Sequence, residues 1–406
     1  MDLFARKIYR NMFAELGKSE AEIEERLAEI VDTFFYREGE KVYFPVGEDM
    51  AYIEDTGNED ARTEGMSYGM MMCVQLDKKE EFDRLWKWAK TYMWMEEGEN
   101  EGYFAWSCAP DGTKNAHGPA PDGEEFFAMA LFFAAHRWGN GEGIFDYERE
   151  ARELLRACLH KGENGRPGQP MWNKENKLIL FVPGCGFTDP SYHLPHFYEL
   201  FALWADEEDR GFWKEAAAAS REYLAAACHP ATGMSAEYAE FDGRPVGKPA
   251  WSGDRHDWFY SDSYRTAANI GLDYEWFGID TGQRAAAERL QRCLGVTHGE
   301  NPFRIFEVDG TPLEQEALHP VAITAATAQA GLAVPVGVAV PGNAVGSVSI
   351  AEPQEAGSGV SDAGRTARMW AKKFWNLPMR TGVRRYYDNC LYVFAFLALS
   401  GRYRIW

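Results

Sequence analysis

Glu64 sits between a short polar lead, Asn58 to Thr63, and an apolar run from Gly65 to Val74 that carries Met66, Met70, Met71 and Met72. That run has the pattern of a helix buried on nearly every side, which puts Glu64 in its first turn at the edge of an apolar layer. A carboxylate there must find partners or hold its proton, because a bare buried charge is costly. Holding a proton near neutral pH makes it a candidate general acid. The plain alternative is an N-terminal carboxylate that complements the helix dipole. A second acid, Asp262 in Phe259-Tyr-Ser-Asp-Ser-Tyr-Arg265, is flanked by hydroxyls and an arginine. Those neighbours favour the ionised form that a general base needs; the alternative is an N-cap after Ser261. Asp122, in Pro119-Ala-Pro-Asp-Gly-Glu-Glu125, reads more readily as a cap.

Helices must hold these residues, and the helical patterns come in pairs. Phe4–Leu16 and Ser19–Phe35 open the chain, the second with a Ser19/Glu22 capping box. Gly65–Leu76 is followed by Glu80–Met95, Glu124–Trp138 by Asp146–Leu159, and Tyr192–Trp204 by Arg210–Ala227. Asp262–Trp276 is followed by Gly282–Leu294 and His319–Ala330 by Arg365–Trp375, while Tyr387–Leu399 closes the chain and pairs with the N-terminal helices. Within most pairs the first member is apolar all round and the second has a charged face, the pattern of an inner ring wrapped by an outer one. The spacing therefore predicts an all-α fold of six helix pairs. Glu64, Asp122, Tyr192, Asp262, His319 and Tyr387 mark the inner starts at intervals of about sixty to seventy residues. Inner helices that run the same way round a closed ring bring all six markers to one rim.

At 406 residues with 46% hydrophobic residues, the chain has material for a sizeable core. A net charge of -21 repels phosphate backbones and anionic membranes, so neither nucleic acid nor a membrane surface is expected as a partner. Seven scattered cysteines form no C-x-x-C pair, so no zinc cluster or redox motif is expected, and no cofactor or metal is implied. Charges near Met1 replace the apolar stretch of a signal peptide, and no long uncharged run could span a bilayer. A cytoplasmic, single-domain protein over 1–406 with no obligate protein partner is the expectation. Three long connections, Gly98–Pro121, Gly162–Asp189 and Thr297–Leu318, lead into the rim and carry aromatic residues; the last two have the look of small hairpins. Ala330–Gly364 is plainer and reads as a flexible or irregular excursion, with Leu332–Val340 a possible strand.

Paired carboxylates on a concave, aromatic-lined surface suit glycoside hydrolysis, in which one acid protonates the leaving oxygen and another activates water. The stretches Arg62-Thr-Glu-Gly-Met-Ser-Tyr-Gly-Met-Met, Gly118-Pro-Ala-Pro-Asp-Gly-Glu-Glu, Asp189-Pro-Ser-Tyr-His-Leu-Pro-His-Phe and Ser261-Asp-Ser-Tyr-Arg together resemble glycoside hydrolase family 8. The resemblance extends to Thr381-Gly-Val-Arg-Arg-Tyr-Tyr-Asp-Asn-Cys. It implies an (α/α)6 barrel that hydrolyses β-1,4 bonds with inversion. It also implies Glu64 as general acid, Asp262 as general base and Tyr192 as the residue that holds the attacking water. Asp122 would bind the distorted sugar, Trp106 would stack on a ring, and Arg62 and Arg265 would orient the carboxylates.

Within that family the resemblance is to the exo-oligoxylanases that release xylose from the reducing end of short xylo-oligosaccharides. Glu316-Ala-Leu-His-Pro320 is similar to the loop that closes the cleft in those enzymes, which implies that His319 bonds the reducing-end hydroxyl. Ala330–Gly364 departs from the family pattern in being longer and plainer. Three rivals stand beside this reading. One is an open-cleft endo-enzyme acting on xylan, cellulose or chitosan. Another is a sugar epimerase using His193, His196 and His319, and the third is a sugar-binding protein without catalysis.

Overall fold

The structure is a computed structural model that describes residues 7–249, 252–334 and 361–406. Among the described residues, twelve helices have ten or more residues. They are α1 (Glu20–Val31), α2 (Thr63–Gln75), α3 (Lys79–Trp88), α4 (Pro121–Trp138), α5 (Tyr147–His160) and α6 (Pro195–Trp204) in the first half. The second half has α7 (Arg210–Ala227), α8 (Tyr264–Phe277), α9 (Gln283–Arg292), α10 (Pro320–Gln329), α11 (Asp362–Trp375) and α12 (Arg385–Leu399).

The even-numbered helices are the inner ring. Each packs on the next, α2 on α4 and so round to α12, which returns to α2 and closes the barrel. The odd-numbered helices lie outside: α3 covers α2, α5 covers α4, α7 covers α6, α9 covers α8 and α11 covers α10. The N-terminal α1 covers α12, tied by a 2.9 Å bond from Arg26 to the Tyr392 hydroxyl. Sequence pattern explains the sorting. In α4 every residue from Pro121 to Ala134 is buried, whereas α5 buries one stripe through Tyr147, Ala151, Leu154, Leu155 and Cys158. The chain is therefore the (α/α)6 barrel expected of it.

The inner helices begin close to the markers. Pro121, Pro195 and Pro320 occupy first turns, where a missing N–H costs nothing. Asp262 lies in a single 3₁₀ turn just ahead of α8, Tyr192 in one ahead of α6, and His319 is the N-cap of α10. Three departures concern the outer helices. Those expected to run through Phe35, Met95 and Leu294 instead widen into π turns at Asp32–Tyr36, Ala89–Met93 and Cys293–Thr297.

The rim also carries small sheets. Strands β1 (Tyr43–Val46) and β2 (Met50–Ile53) make an antiparallel hairpin that the helical pattern did not announce. Strand β3 (Ala61–Arg62) pairs with β4 (Ser107–Cys108). Strand β5 (Trp258–Phe259) joins β6 (Arg304–Glu307) and β7 (Pro312–Glu316) in one sheet, which includes the hairpin expected over Thr297–Leu318. The other expected hairpin is a bridge between Trp172 and Ile179. Most of the Ala330–Gly364 excursion lies outside the described residues; its described ends are a 3₁₀ turn at Ala330–Ala333, where a strand was possible, and the start of α11.

Candidate active site

At the end of the barrel where the inner helices begin lies a cleft of about 650 Å³. Its lining includes Arg62, Glu64, Trp106, Asp122, Tyr192, Asp262, His319, Tyr386 and Tyr387. Arg265, from the second residue of α8, lies buried beneath it. The eight residues to which the family resemblance gives a role therefore gather at one place, seven lining the cleft and Arg265 buried beside them.

Arg265 is the hub. Its Nη1 donates to Glu64 Oε2 at 2.8 Å, to Asp122 Oδ2 at 3.0 Å and to the Tyr68 hydroxyl at 2.7 Å. Its Nη2 is 3.4 Å from Asp262 Oδ2 and 4.0 Å from Asp189 Oδ2. One positive charge thus faces four carboxyl groups in a setting with little water. The imbalance is relieved by protons. Burial, with the charges of Asp262 and Asp122 adding to it and Arg265 opposing it, pushes Glu64 up to about 7. Asp122 is pushed up to about 6 for the same first reason. Asp189, with no solvent contact, lies well above the usual carboxylate range. Asp262 is the best hydrated of the four, its side chain 33% exposed against 16% for Glu64. A carboxylate carries charge with least penalty where water reaches it.

One arm of the guanidinium reaches Glu64 and the other Asp262, which limits how far apart the two acids can lie. Their facing oxygens fall inside the roughly 9.5 Å upper limit of carboxyl pairs that leave room for a water.

Local structure fixes each carboxyl. Tyr386, in the first turn of α12, donates to Glu64 Oε1 at 2.8 Å. The ring passes so close to α2 that a Cβ on Gly65 would sit 2.6 Å from its hydroxyl oxygen, so only glycine fits beside Glu64. Gly123 plays the same part between α4 and α2, where a Cβ would meet Thr63 at 2.5 Å. Asp262 follows Ser261, whose φ of 43° is in the left-handed region that non-glycine residues avoid. The Tyr387 hydroxyl donates to the Ser261 carbonyl at 3.0 Å and helps hold that turn.

Tyr192 lies against the Arg265 guanidinium, 5.6 Å from its ring centroid, and its hydroxyl has no hydrogen-bond partner among the described residues. Trp106 is 39% exposed on the cleft wall with Arg62 over its ring at 5.4 Å. Arg62 itself pairs with Asp55 (3.3 Å) and Asp60 (3.0 Å), and not with the carboxyls on Arg265. The orienting role expected of both arginines thus has its contacts at Arg265. His193 and His196 are core residues away from the cleft. His193 sits between Thr188 and Ser220 and burial lowers it to about 3, while His196 packs on Phe197 and Trp276.

Several participants were not singled out from the sequence: Tyr68, Asp189, Tyr386 and Glu237. Burial, with the charge of Asp262 adding to it, raises Glu237 to about 9, and its Oε2 lies 3.1 Å from His256 Nδ1. Asp189 and Tyr386 lie inside motifs that carried the resemblance, so the signal existed for them. Tyr68 also lies inside such a motif, the one from Arg62 to Met71, whereas Glu237 falls outside every motif and every expected helix.

A carboxyl group pushed up to about 7 and a better hydrated one, on the two arms of one arginine under an aromatic-lined cleft, fit the two-acid chemistry of glycoside hydrolysis. The chain belongs to the glycosyl hydrolases family 8, whose model matches residues 45–329. It is 53% identical to the reducing end xylose-releasing exo-oligoxylanase of Halalkalibacterium halodurans, over 99% of this chain and 96% of that one. It is 51% identical to the enzyme of the same name from Bifidobacterium adolescentis, over 97% and 96% respectively. A solved structure of a reducing-end-xylose releasing exo-oligoxylanase complexed with xylose superposes with a TM-score of 0.88, at 52% identity and with 100% of each chain covered. Among the described residues, no helix is long and apolar enough to cross a membrane.

Proposed function

We propose that this chain is an inverting exo-oligoxylanase, which removes xylose from the reducing end of short β-1,4-xylo-oligosaccharides. The observation that carries the catalytic part is the placement of Glu64 and Asp262 on the two arms of Arg265. Glu64, with a pKa of about 7, keeps a proton to give to the leaving oxygen. Asp262 takes a proton from a water held with the Tyr192 hydroxyl, and that water attacks the anomeric carbon from the opposite face. One bond breaks and one forms, so the new hemiacetal is α-configured. Asp122 and Trp106 hold the sugar whose ring flattens, and Arg62 lies beside Trp106 on the same wall.

Release of a single terminal xylose is supported by the likeness to enzymes of that name and by Leu318 and His319 in the cleft wall. The epimerase alternative loses two of its three histidines to the core. A single catalytic domain is favoured by one continuous apolar core from Met12 to Ile405. Seven unpaired cysteines, six of them buried, favour a reducing, cytoplasmic setting.

Proton NMR of xylotriose during its first turnovers tests the mechanism. The α-anomer is expected first in the product from the non-reducing side, and the β-anomer first overturns the inverting assignment. Glu64→Gln and Asp262→Asn are each expected to lower kcat by about 10²–10⁴-fold with KM within a few-fold. Near-normal turnover by either variant removes that residue from its role. Xylotriose labelled at its reducing end separates exo from endo action by whether labelled xylose appears at once.

A further inference from the structure

We propose that Asp388 is the positioning residue that lets His319 recognise a free reducing end. It fixes the imidazole tautomer so that a bare nitrogen, Nε2, faces the cleft as a hydrogen-bond acceptor. The inference rests on the reading of His319 as the residue that meets the terminal anomeric hydroxyl.

The geometry points to it from both sides of the ring. His319 Nδ1 is 3.0 Å from Asp388 Oδ2, and Asp388 has no solvent contact. The other carboxylate oxygen, Oδ1, accepts the Ala322 backbone N–H at 2.8 Å. Arg380 also bonds Oδ2 and supplies the compensating charge, so Asp388 does not require a protonated histidine opposite it. Arg380 is itself clamped. Its Nη1 donates to the Leu318 carbonyl at 2.5 Å, and its backbone N–H donates to Asn389 Oδ1 at 2.8 Å.

A carboxylate can only accept, so Nδ1 must carry the hydrogen of the neutral ring, which leaves Nε2 with a lone pair. Nε2 has no hydrogen-bond partner among the described residues, and His319 lines the cleft. The Tyr387 ring, 4.8 Å from the imidazole, limits its rotation.

What a fixed acceptor selects follows from sugar chemistry. The anomeric hydroxyl is the strongest donor on a xylose ring, because its carbon also bonds the ring oxygen. A bare imidazole nitrogen in the cleft wall prefers that hydroxyl to any other. A sugar continued by a further glycosidic bond has lost it. Reducing-end specificity then has a chemical component of its own.

The test compares xylotriose with its 1-deoxy analogue, in which the terminal ring is 1,5-anhydroxylitol and only the anomeric hydroxyl is missing. The readout is the ratio of their kcat/KM values in the wild type, in His319→Ala and in Asp388→Asn. Wild type is expected to prefer xylotriose by at least about tenfold, the scale of one directed hydrogen bond whose partner is otherwise left unpaired. An amide in place of Asp388 can offer an N–H to Nδ1 and turn the ring's hydrogen to Nε2. Asp388→Asn is therefore expected to bring the ratio down to about that of His319→Ala, while turnover of the deoxy analogue stays within a few-fold of wild type.

If Asp388→Asn slows both substrates equally and keeps the ratio, Asp388 is merely structural and the proposal fails. If the wild type shows no preference, or His319→Ala keeps it, the reading of His319 fails first. Because Arg380 and Ala322 also lean on Asp388, the variant can fold poorly. Nitrogen-15 NMR of histidine-labelled wild type then decides: a pyridine-type resonance for His319 Nε2 is expected, and a pyrrole-type one overturns the assignment.

Discussion

Tyr386→Phe is the most informative single change, because it removes one hydroxyl and nothing else from beside the candidate acid. That hydroxyl donates to Glu64 Oε1 at 2.8 Å from a buried position. A bond to an ionised carboxylate contributes about 1.5–3 kcal/mol and one to a neutral carboxyl about 1 kcal/mol. Only the difference between those values acts on the proton equilibrium, on the order of 1–1.5 kcal/mol. Since about 1.4 kcal/mol corresponds to one pH unit, Glu64 should rise from about 7 to roughly 8 in the variant. The sign is fixed: a general acid works protonated, so activity falls as pH rises through its pKa, and a higher pKa moves that fall to higher pH. The assay is kcat/KM on xylotriose from about pH 5 to about pH 9, where the alkaline limb reports the free enzyme's acid. The other neighbours of Glu64, namely Arg265, Asp262 and Asp122, are unchanged by the substitution. An alkaline limb that stays in place, or moves to lower pH, would refute both the contact's role and the assignment of Glu64 as the acid.

Three further outcomes follow from the same geometry. Glu64 is held above its ordinary value, so the fold takes up an extra proton between about pH 4.5 and about pH 7, and ionising Glu64 disfavours the fold above that range. Glu64→Gln should therefore stabilise the protein by up to about 3 kcal/mol at pH 8 and by almost nothing below pH 4.5; a pH-independent change in denaturant midpoint counts against the shifted acid. Arg265→Met leaves four carboxyls without their cation and should cost about 3–5 kcal/mol at pH 8. Part of that loss should return at about pH 5, where Glu64 and Asp122 are protonated; urea unfolding at the two pH values measures it. Ser261→Gly removes a strained backbone worth about 1–3 kcal/mol, so the melting temperature should rise while kcat falls as Asp262 gains freedom. Unchanged kcat in that variant would mean the turn does not position the base.

Barrel architecture was legible in the sequence because the contrast between Phe126–Ala135 and Tyr147–Leu155 records burial directly: an inner helix has no polar face to show. The gathering of Glu64, Asp122, Asp262 and His319 was legible for a related reason. Polar residues at the start of otherwise apolar helices have nowhere to be but the rim. What stayed hidden were pairings across the ring. That one arm of Arg265 would serve both Glu64 and Asp122 depends on side-chain reach between helices far apart in sequence, and Arg62 turned instead to its near neighbours Asp55 and Asp60. Tyr68 stood inside a quoted motif, but its type suits a core and only its contact with Arg265 gives it work; Glu237 lay outside every motif and helical pattern. The β1–β2 hairpin and the π turns reflect tertiary packing that overrode helical periodicity, which is a local signal.

Closure of the ring between α12 and α2 has a consequence for how activity is acquired. The first stave brings Glu64 and the last brings Tyr386, which holds it, so the proposed acid and its support span most of the polypeptide. A nascent chain on the ribosome has an acid long before it has the partner that tunes it, and a fragment lacking the final helix is not a lesser catalyst but an open barrel with an exposed seam. Turnover should therefore report completed assembly: a nick or truncation that frees the last stave ought to abolish hydrolysis in one step, without a ladder of partly active intermediates.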